Sequence, residues 1–157
     1  MNSIVADAAQ RLANRGLTIA FAESATAGRL MAEFSLTPSA GKILKGGVVC
    51  YDACLKEDIL GVSPTLIQEY TPESAEVTEA LARCLKDFIA SDVQLAVTGL
   101  PRSGGSETPQ KPVGTMFVHF LVSGKSIGVK ERFSGSAEEI IEQTVQLAAH
   151  LILTHLL

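Results

Sequence analysis

The sequence predicts a single α/β domain, residues 1–157, built as a three-layer α/β/α sandwich with a mixed, mostly parallel five-stranded sheet. Three observations predict it. Strand-like apolar runs alternate with segments of helical period through the first hundred or so residues, the pattern that βα units leave in a chain. The first three strands are separated by helical segments, so they are expected to run parallel through right-handed crossovers. Two later strands are joined by Ser123-Gly124-Lys125-Ser126, a connection short enough for an antiparallel hairpin.

In chain order, residues 3–15 place Ile4, Val5, Ala8, Ala9 and Leu12 at helical spacing and stop at Gly16, where a left-handed residue commonly closes a helix. A first strand is predicted over 17–23, around Ile19-Ala20-Phe21-Ala22. A helix from about Ala25 to Leu36 follows at once, and the turn formers Thr37-Pro38-Ser39-Ala40-Gly41 end it. Gly46-Gly47-Val48-Val49-Cys50-Tyr51 reads as the second strand. A short helix then reaches Leu60, and Ser63-Pro64 opens another, with serine as cap and proline in the first turn. Thr71-Pro72-Glu73-Ser74 starts a longer helix to about Ala90, with Val77, Leu81, Leu85, Phe88 and Ile89 on one face.

The third strand is Val93 to Thr98, closed by Gly99. Leu100 to Pro112 holds three prolines and two glycines and is predicted as a loop, of a length that is usually functional or mobile. Strand four spans Gly114 to Val122 and strand five Ile127 to Phe133. The last helix runs from about Ala137 to His155. Its wide apolar arc and its LILTHLL ending predict either deep burial or a subunit interface.

Composition narrows the class of function. With 46% apolar and 19% charged residues the chain is globular. A net charge of −4 gives no general attraction to nucleic acid or to an anionic membrane, so neither is expected as a partner. The first 16 residues lack the continuous apolar run of a signal peptide. No segment approaches the roughly 18 apolar residues of a membrane span. Cys50, Cys54 and Cys84 are odd in number and fit no zinc spacing; a reduced, cytoplasmic chain without a metal is expected. His150 and His155 miss the i, i+4 register of a metal pair, and there is no Walker motif, no GxGxxG and no basic stripe.

In sheets of this kind ligands bind beyond the carboxyl ends of the parallel strands, where strand order reverses. Those ends carry Glu23-Ser24-Ala25-Thr26, then Tyr51-Asp52 leading to Lys56, then Thr98-Gly99 leading into the long loop. Ser24 alone reads as a helix cap. The convergence of polar groups on one edge favours a nucleophile instead. Serine needs a base, and Lys56 could serve if partial burial lowered its pKa towards the about 7 to 8 of catalytic lysines. Tyr51 is expected to relay the proton or orient the lysine. The amides of Ala25 and Thr26, at the start of the following helix, are expected to hold the developing oxyanion. The plainer alternatives are a strand-end aromatic for Tyr51 and a solvated surface lysine for Lys56. Cys50 and Cys54 are read as packing residues and His119 as a sheet-face residue.

The same residues carry a resemblance. AESATAG, then GGVVCYDACLK, then VTGL with a Gly-rich loop into KPVGT resembles the CinA C-terminal domain family, in register from about Thr18 to the final helix. The resemblance implies a three-layer α/β/α fold with a mixed five-stranded sheet. It also implies hydrolysis of the carboxamide of nicotinamide mononucleotide to nicotinate mononucleotide and ammonia, with no cofactor and no metal. Against the family's ESCTGG and YSNxxK segments, Ser24 matches the nucleophile and Tyr51 and Lys56 the proton-transfer groups. The expected substrate-binding residues are Ala25, Thr26, Gly28, Gly99, Arg102, Gly104, Gly105, Lys111 and Thr115, with Lys111 as a phosphate ligand. A homodimer or higher homo-oligomer is implied as well.

The departures from the family pattern lie in ligand-facing segments. Ala27 replaces the first glycine of a pair, and its methyl is expected to obstruct a ligand. Pro101-Arg102 replaces alanine-glycine, Thr71-Pro72-Glu73-Ser74 replaces GAVS, and Ala137 and Ile141 stand where two arginines are common. Two functions are therefore predicted. One is an amidohydrolase acting on a pyridine nucleotide or similar small amide. The alternative is an inactive or respecialised paralogue that binds a nucleotide or a protein partner.

Overall fold

Alternation within one short strand sets the layers of the molecule. In β1 (Ile19–Glu23), Ile19 and Phe21 enter one hydrophobic core, while Ala20 and Ala22 enter another on the opposite sheet face. The computed structural model describes residues 2–156. Around β1 the chain adds α1 (Ser3–Asn14), α2 (Arg29–Ser35), α3 (Ala40–Ile43), β2 (Leu44–Val49), α4 (Ala53–Asp58), α5 (Pro64–Tyr70), α6 (Ala75–Phe88), β3 (Val93–Gly99), β4 (Thr115–Val122), β5 (Lys125–Arg132) and α7 (Ala137–His155).

The sheet order is β2-β1-β3-β4-β5. β1 pairs in parallel with β2 and with β3, and β4 is antiparallel to both β3 and β5. Four of the five strands thus point the same way, while the pairings divide evenly between parallel and antiparallel. Helices α1, α2, α3 and α7 cover the face with Phe21, Leu95, Val118 and Phe120, and α5 and α6 cover the face with Ala22 and Ala96. This is the predicted three-layer sandwich. β1 and β3 are buried along their whole length, as expected of parallel strands covered on both faces.

Local chemistry explains most boundaries. Ser63, Ser74 and Ser136 each accept a helix amide as N-cap, and Ser136 and Glu139 form a reciprocal capping box. β4 and β5 are joined at Ser123-Gly124, both with positive φ, which suits the twist of a two-residue hairpin. β2 runs over Leu44–Val49, where the sequence predicts 46–51, and the short α3 lies inside a stretch expected to be irregular.

The helix expected from about Ala25 begins only at Arg29, and Ala25 to Gly28 is a turn. The cause is Glu23. Its buried carboxylate accepts the Thr26 hydroxyl at 2.7 Å and the Leu30 and Met31 amides at 2.8 and 3.1 Å. It fills the amino end of α2 from inside the chain. The apolar arc of α7 is matched internally too, with Ile140, Val145, Ala148, Leu151 and Ile152 in the core that includes α1. Burial therefore accounts for that arc as far as Leu156; the final leucine of LILTHLL lies outside the described residues.

Candidate active site

The strand order reverses at β1, whose parallel neighbours lie on either side, so a crevice opens beyond its carboxyl end. Ser24 sits there. Its amide donates to Val97 O at 3.0 Å, extending the β1–β3 pairing by one residue, and Cys50 N donates to Glu23 O at 2.8 Å on the other side. Side chains alternate along the strand, so Glu23 points towards α2 and Ser24 towards the α4 side.

Asp52 delivers the second group. Its carboxylate caps α4 by accepting the Cys54 amide at 3.0 Å, and the helix then turns Lys56 back towards β1. The Lys56 ammonium nitrogen lies 3.0 Å from Ser24 Oγ and donates to Cys50 O at 2.8 Å. Lys56 is 1% exposed and Ser24 6% exposed. Burial pushes the Lys56 pKa down, against weaker opposing influences from Cys50, Glu73 and Asp52. No ion pair to Lys56 exists among the described residues. A desolvated lysine without a carboxylate partner, at hydrogen-bond distance from a serine hydroxyl, is equipped to take that hydroxyl's proton. The solvated surface lysine is ruled out by its burial.

The cleft in front of Ser24 has a volume of about 210 Å³ and is lined by Ala25, Tyr51, Glu73, Gly99, Arg102 and the backbone of the following loop. Of the residues expected to bind substrate, Ala25, Gly99, Arg102, Gly104 and Gly105 line this cleft. At Gly99 any side chain would collide with Met116 and with Thr115 O, so the wall there is bare backbone. A larger, open depression of about 1050 Å³ lies by Arg29 and the start of α7, but its charged lining is mostly glutamate and it holds no nucleophile with a base.

Other expectations are corrected. Tyr51 is 58% exposed and makes no hydrogen bond to Lys56, whose partners are Ser24 and Cys50; it forms a cleft wall and does not orient the lysine. The oxyanion donors cannot draw on the start of α2, because Glu23 takes those amides; what faces the cleft is the turn at Ala25. Thr26 is buried on Glu23, and Thr115 is buried with its hydroxyl on Pro112 O at 2.6 Å. Gly28, at φ 95°, serves the turn into α2 and does not line the cleft. Nor does Ala27, which is exposed at φ 47°, so its methyl obstructs no ligand there. Lys111 is folded back onto Thr71, Glu73 and Ser106.

Three functional groups escaped the sequence reading: Glu23 as the clamp on the turn, Cys50 O as the acceptor that aims Lys56, and Glu73 in the cleft lining. A carboxylate closing an apolar strand just before a serine is a signal for the first. The other two depend on tertiary placement. His119 is buried on β4 with its Nε2 2.8 Å from Ser126 Oγ, and burial lowers its pKa; it belongs to the sheet face, as expected. Burial also pushes the Cys50 thiol up, away from thiolate chemistry.

With this geometry in view, the family model described as the CinA C-terminal domain matches residues 1–156. The chain belongs to the CinA C-terminal domain family. A CinA-like protein from Synechococcus sp. (strain CC9311) is 38% identical over 117 residues, covering 74% of this chain and 27% of that protein. One from Mycolicibacterium vanbaalenii is 37% identical over 138 residues, covering 87% and 32%. The chain therefore spans about a third or less of the length of these relatives. Among solved structures, a CinA superfamily protein from Klebsiella pneumoniae superposes with a TM-score of 0.93 at 23% identity, over 99% of this chain and 98% of that one. One from Enterobacter cloacae gives 0.90 at 27% identity, over 98% and 92%. These likenesses agree with the sandwich and its mixed sheet.

Proposed function

We propose that this CinA-family domain is a serine amidohydrolase that cleaves the carboxamide of a pyridine nucleoside or nucleotide. The observation that carries the reading is the buried Lys56 amine 3.0 Å from Ser24 Oγ, with no ion pair to a carboxylate among the described residues. Ser24 Oγ attacks the carboxamide carbon while neutral Lys56 takes its proton. The backbone of the turn at Ala25, which faces the cleft, stabilises the oxyanion that forms. Lys56 then gives its proton to the departing nitrogen, which leaves as ammonia, and the acyl group remains on Ser24. Water attacks that ester, its proton passing to Lys56 and then back to Ser24, and the pyridine carboxylate is released. Tyr51 supplies an aromatic wall for the ring.

The test is ammonia release by the purified protein from nicotinamide mononucleotide and from nicotinamide riboside, beside Ser24→Ala and Lys56→Met. Loss of a general base typically lowers a rate by about 10² to 10⁴, so both variants should fall at least that far. Release that survives Ser24→Ala would remove Ser24 as the nucleophile, and none from the folded wild-type protein would move the assignment to a respecialised binding paralogue.

A further inference from the structure

A second cleft, of about 420 Å³, opens at the opposite edge of the sheet from Ser24, where β3 starts and the β4–β5 hairpin turns. Its volume lies within the roughly 300–1,000 Å³ of small-molecule sites. Gln94, 2% exposed, reaches it from β3. The Gln94 amide nitrogen donates to Ser91 O at 2.7 Å and to Ser91 Oγ at 2.9 Å. A carbonyl oxygen only accepts, so the nitrogen is fixed on Ser91 and Gln94 Oε1 is turned away from it. Oε1 accepts no hydrogen bond among the described residues. No fully buried side-chain oxygen among them lacks a partner, so this unpaired acceptor is one that opens onto the cleft. Only a donor, an N–H or O–H group, can match it.

The rim carries both signs of charge. From α6, Arg83 places Nε and Nη2 on Glu79 at 2.9 and 2.8 Å and Nη2 also on Ser126 Oγ at 3.2 Å, which leaves Nη1 without an acceptor among the described residues. One turn further on, Lys86 and Asp87 stand at the same cleft, and neither forms an ion pair among the described residues. Asp92, just before β3, has Oδ2 engaged by Thr18, and Lys125 gives a donor to His155 O at 3.1 Å. A simple anion would meet two carboxylates here and a simple cation three basic groups, whereas a molecule carrying both charges finds a partner for each. Leu121 and Val122 add apolar surface between them.

We propose that this cleft binds a small aliphatic zwitterion of the α-amino-acid class, its ammonium donating to Gln94 Oε1, its carboxylate held by Arg83 Nη1 and Lys86, and its side chain against Leu121 and Val122. The site does not depend on the amidohydrolase reading. Strand β3 separates the two clefts, with Gln94 near its start and Gly99 at its end.

Two-dimensional amide NMR of the intact, isotope-labelled protein tests this with L-leucine as the probe, beside isocaproate, the same skeleton without the amine, and isoamylamine, without the carboxylate. Leucine should give saturable shifts at the Gln94 side-chain amide and at Gly124 and Ser126. Each half-molecule should bind at least about tenfold more weakly, the loss expected of one charge-assisted hydrogen bond. Gln94→Met removes the acceptor at similar volume and should weaken leucine by about tenfold, with circular dichroism checking the fold. Lys86→Glu, at an exposed position, should weaken leucine too and keeps the test decisive if the buried variant does not fold. Shifts that never saturate, shifts centred on the Ser24 cleft, or leucine binding unchanged in Lys86→Glu overturn the site. Isocaproate or isoamylamine binding as tightly as leucine overturns the zwitterion.

Discussion

Ser24 and Lys56, 32 residues apart in the chain, meet at 3.0 Å across the ends of two neighbouring strands. Strand β1 and the cap of α4 bring them together, and Cys50 O holds the amine on its other side. The lysine is thus fixed by neutral acceptors only, an arrangement that favours the free amine over the ammonium.

Replacing that amine separates chemistry from folding. Lys56→Met keeps a long unbranched side chain in the buried slot and should lower ammonia release by about 10² to 10⁴ with the fold retained. Lys56→Arg should be as inactive, because a guanidinium stays protonated and accepts no proton. Activity in the arginine variant close to wild type would remove Lys56 as the base.

The same burial sets a pH dependence. The Lys56 pKa is lowered from 10.5 in the folded protein, so between the folded and unfolded values the unfolded chain binds more protons at this position. Stability contributed by this group therefore rises as pH climbs through that window and is reduced below it. Activity should rise through the folded pKa as the amine becomes neutral. Unfolding free energies of wild type minus Lys56→Met, followed from neutral to alkaline pH, should increase; a flat difference would show an unperturbed lysine.

How much of this was legible in the sequence follows from which contacts are local. The turn-rich boundaries, the hairpin at Ser123-Gly124 and the β1 end at Ser24 depend on near neighbours and were readable. The meeting of Ser24 with Lys56 was readable because both follow strands of one parallel sheet. The turn at Ala25 to Gly28 was not, since helical pattern alone continues through it and only the reach of Glu23 to Leu30 and Met31 defers the helix. The partners of Lys111 and Glu107 are not legible for a similar reason: a loop can satisfy its own charges, and composition does not reveal which partner each one takes.

Glu23 should therefore be worth more than its lack of contact with the cleft suggests. Glu23→Gln retains one acceptor but turns an amide group towards donors that faced a carboxylate oxygen. Losing a buried bond to a charged group costs about 1.5–3 kcal/mol, and a fall of that size is expected in urea unfolding. Because Glu23 also anchors Thr26, the turn beside Ser24 should loosen and the rate should drop beyond what the unfolded fraction explains. Full stability with full activity would show that Glu23 does not hold the turn.

Tyr51 gives a prediction opposite to a proton relay. Its exposed position on the cleft rim makes the ring, not the hydroxyl, the useful part. Tyr51→Phe should keep kcat/KM within about threefold, while Tyr51→Ala, which loses the aromatic wall, should raise KM more than it lowers kcat, the mark of lost uniform binding. A collapse of kcat in the phenylalanine variant would restore the hydroxyl to the chemistry.

Ala27 tests the backbone directly. It sits at φ 47°, exposed and outside the cleft lining, in the left-handed region that glycine tolerates without steric conflict. A left-handed L-residue costs about 1–2 kcal/mol, and the extra freedom of glycine in the unfolded chain offsets about 0.4–1 kcal/mol of any relief. Ala27→Gly should therefore stabilise the protein by up to about 1.6 kcal/mol, read as a higher urea midpoint at unchanged slope. Ligand affinity should stay as it was, because the methyl points into no binding space; a rise in affinity without a rise in stability would make that methyl the obstacle the sequence alone implied.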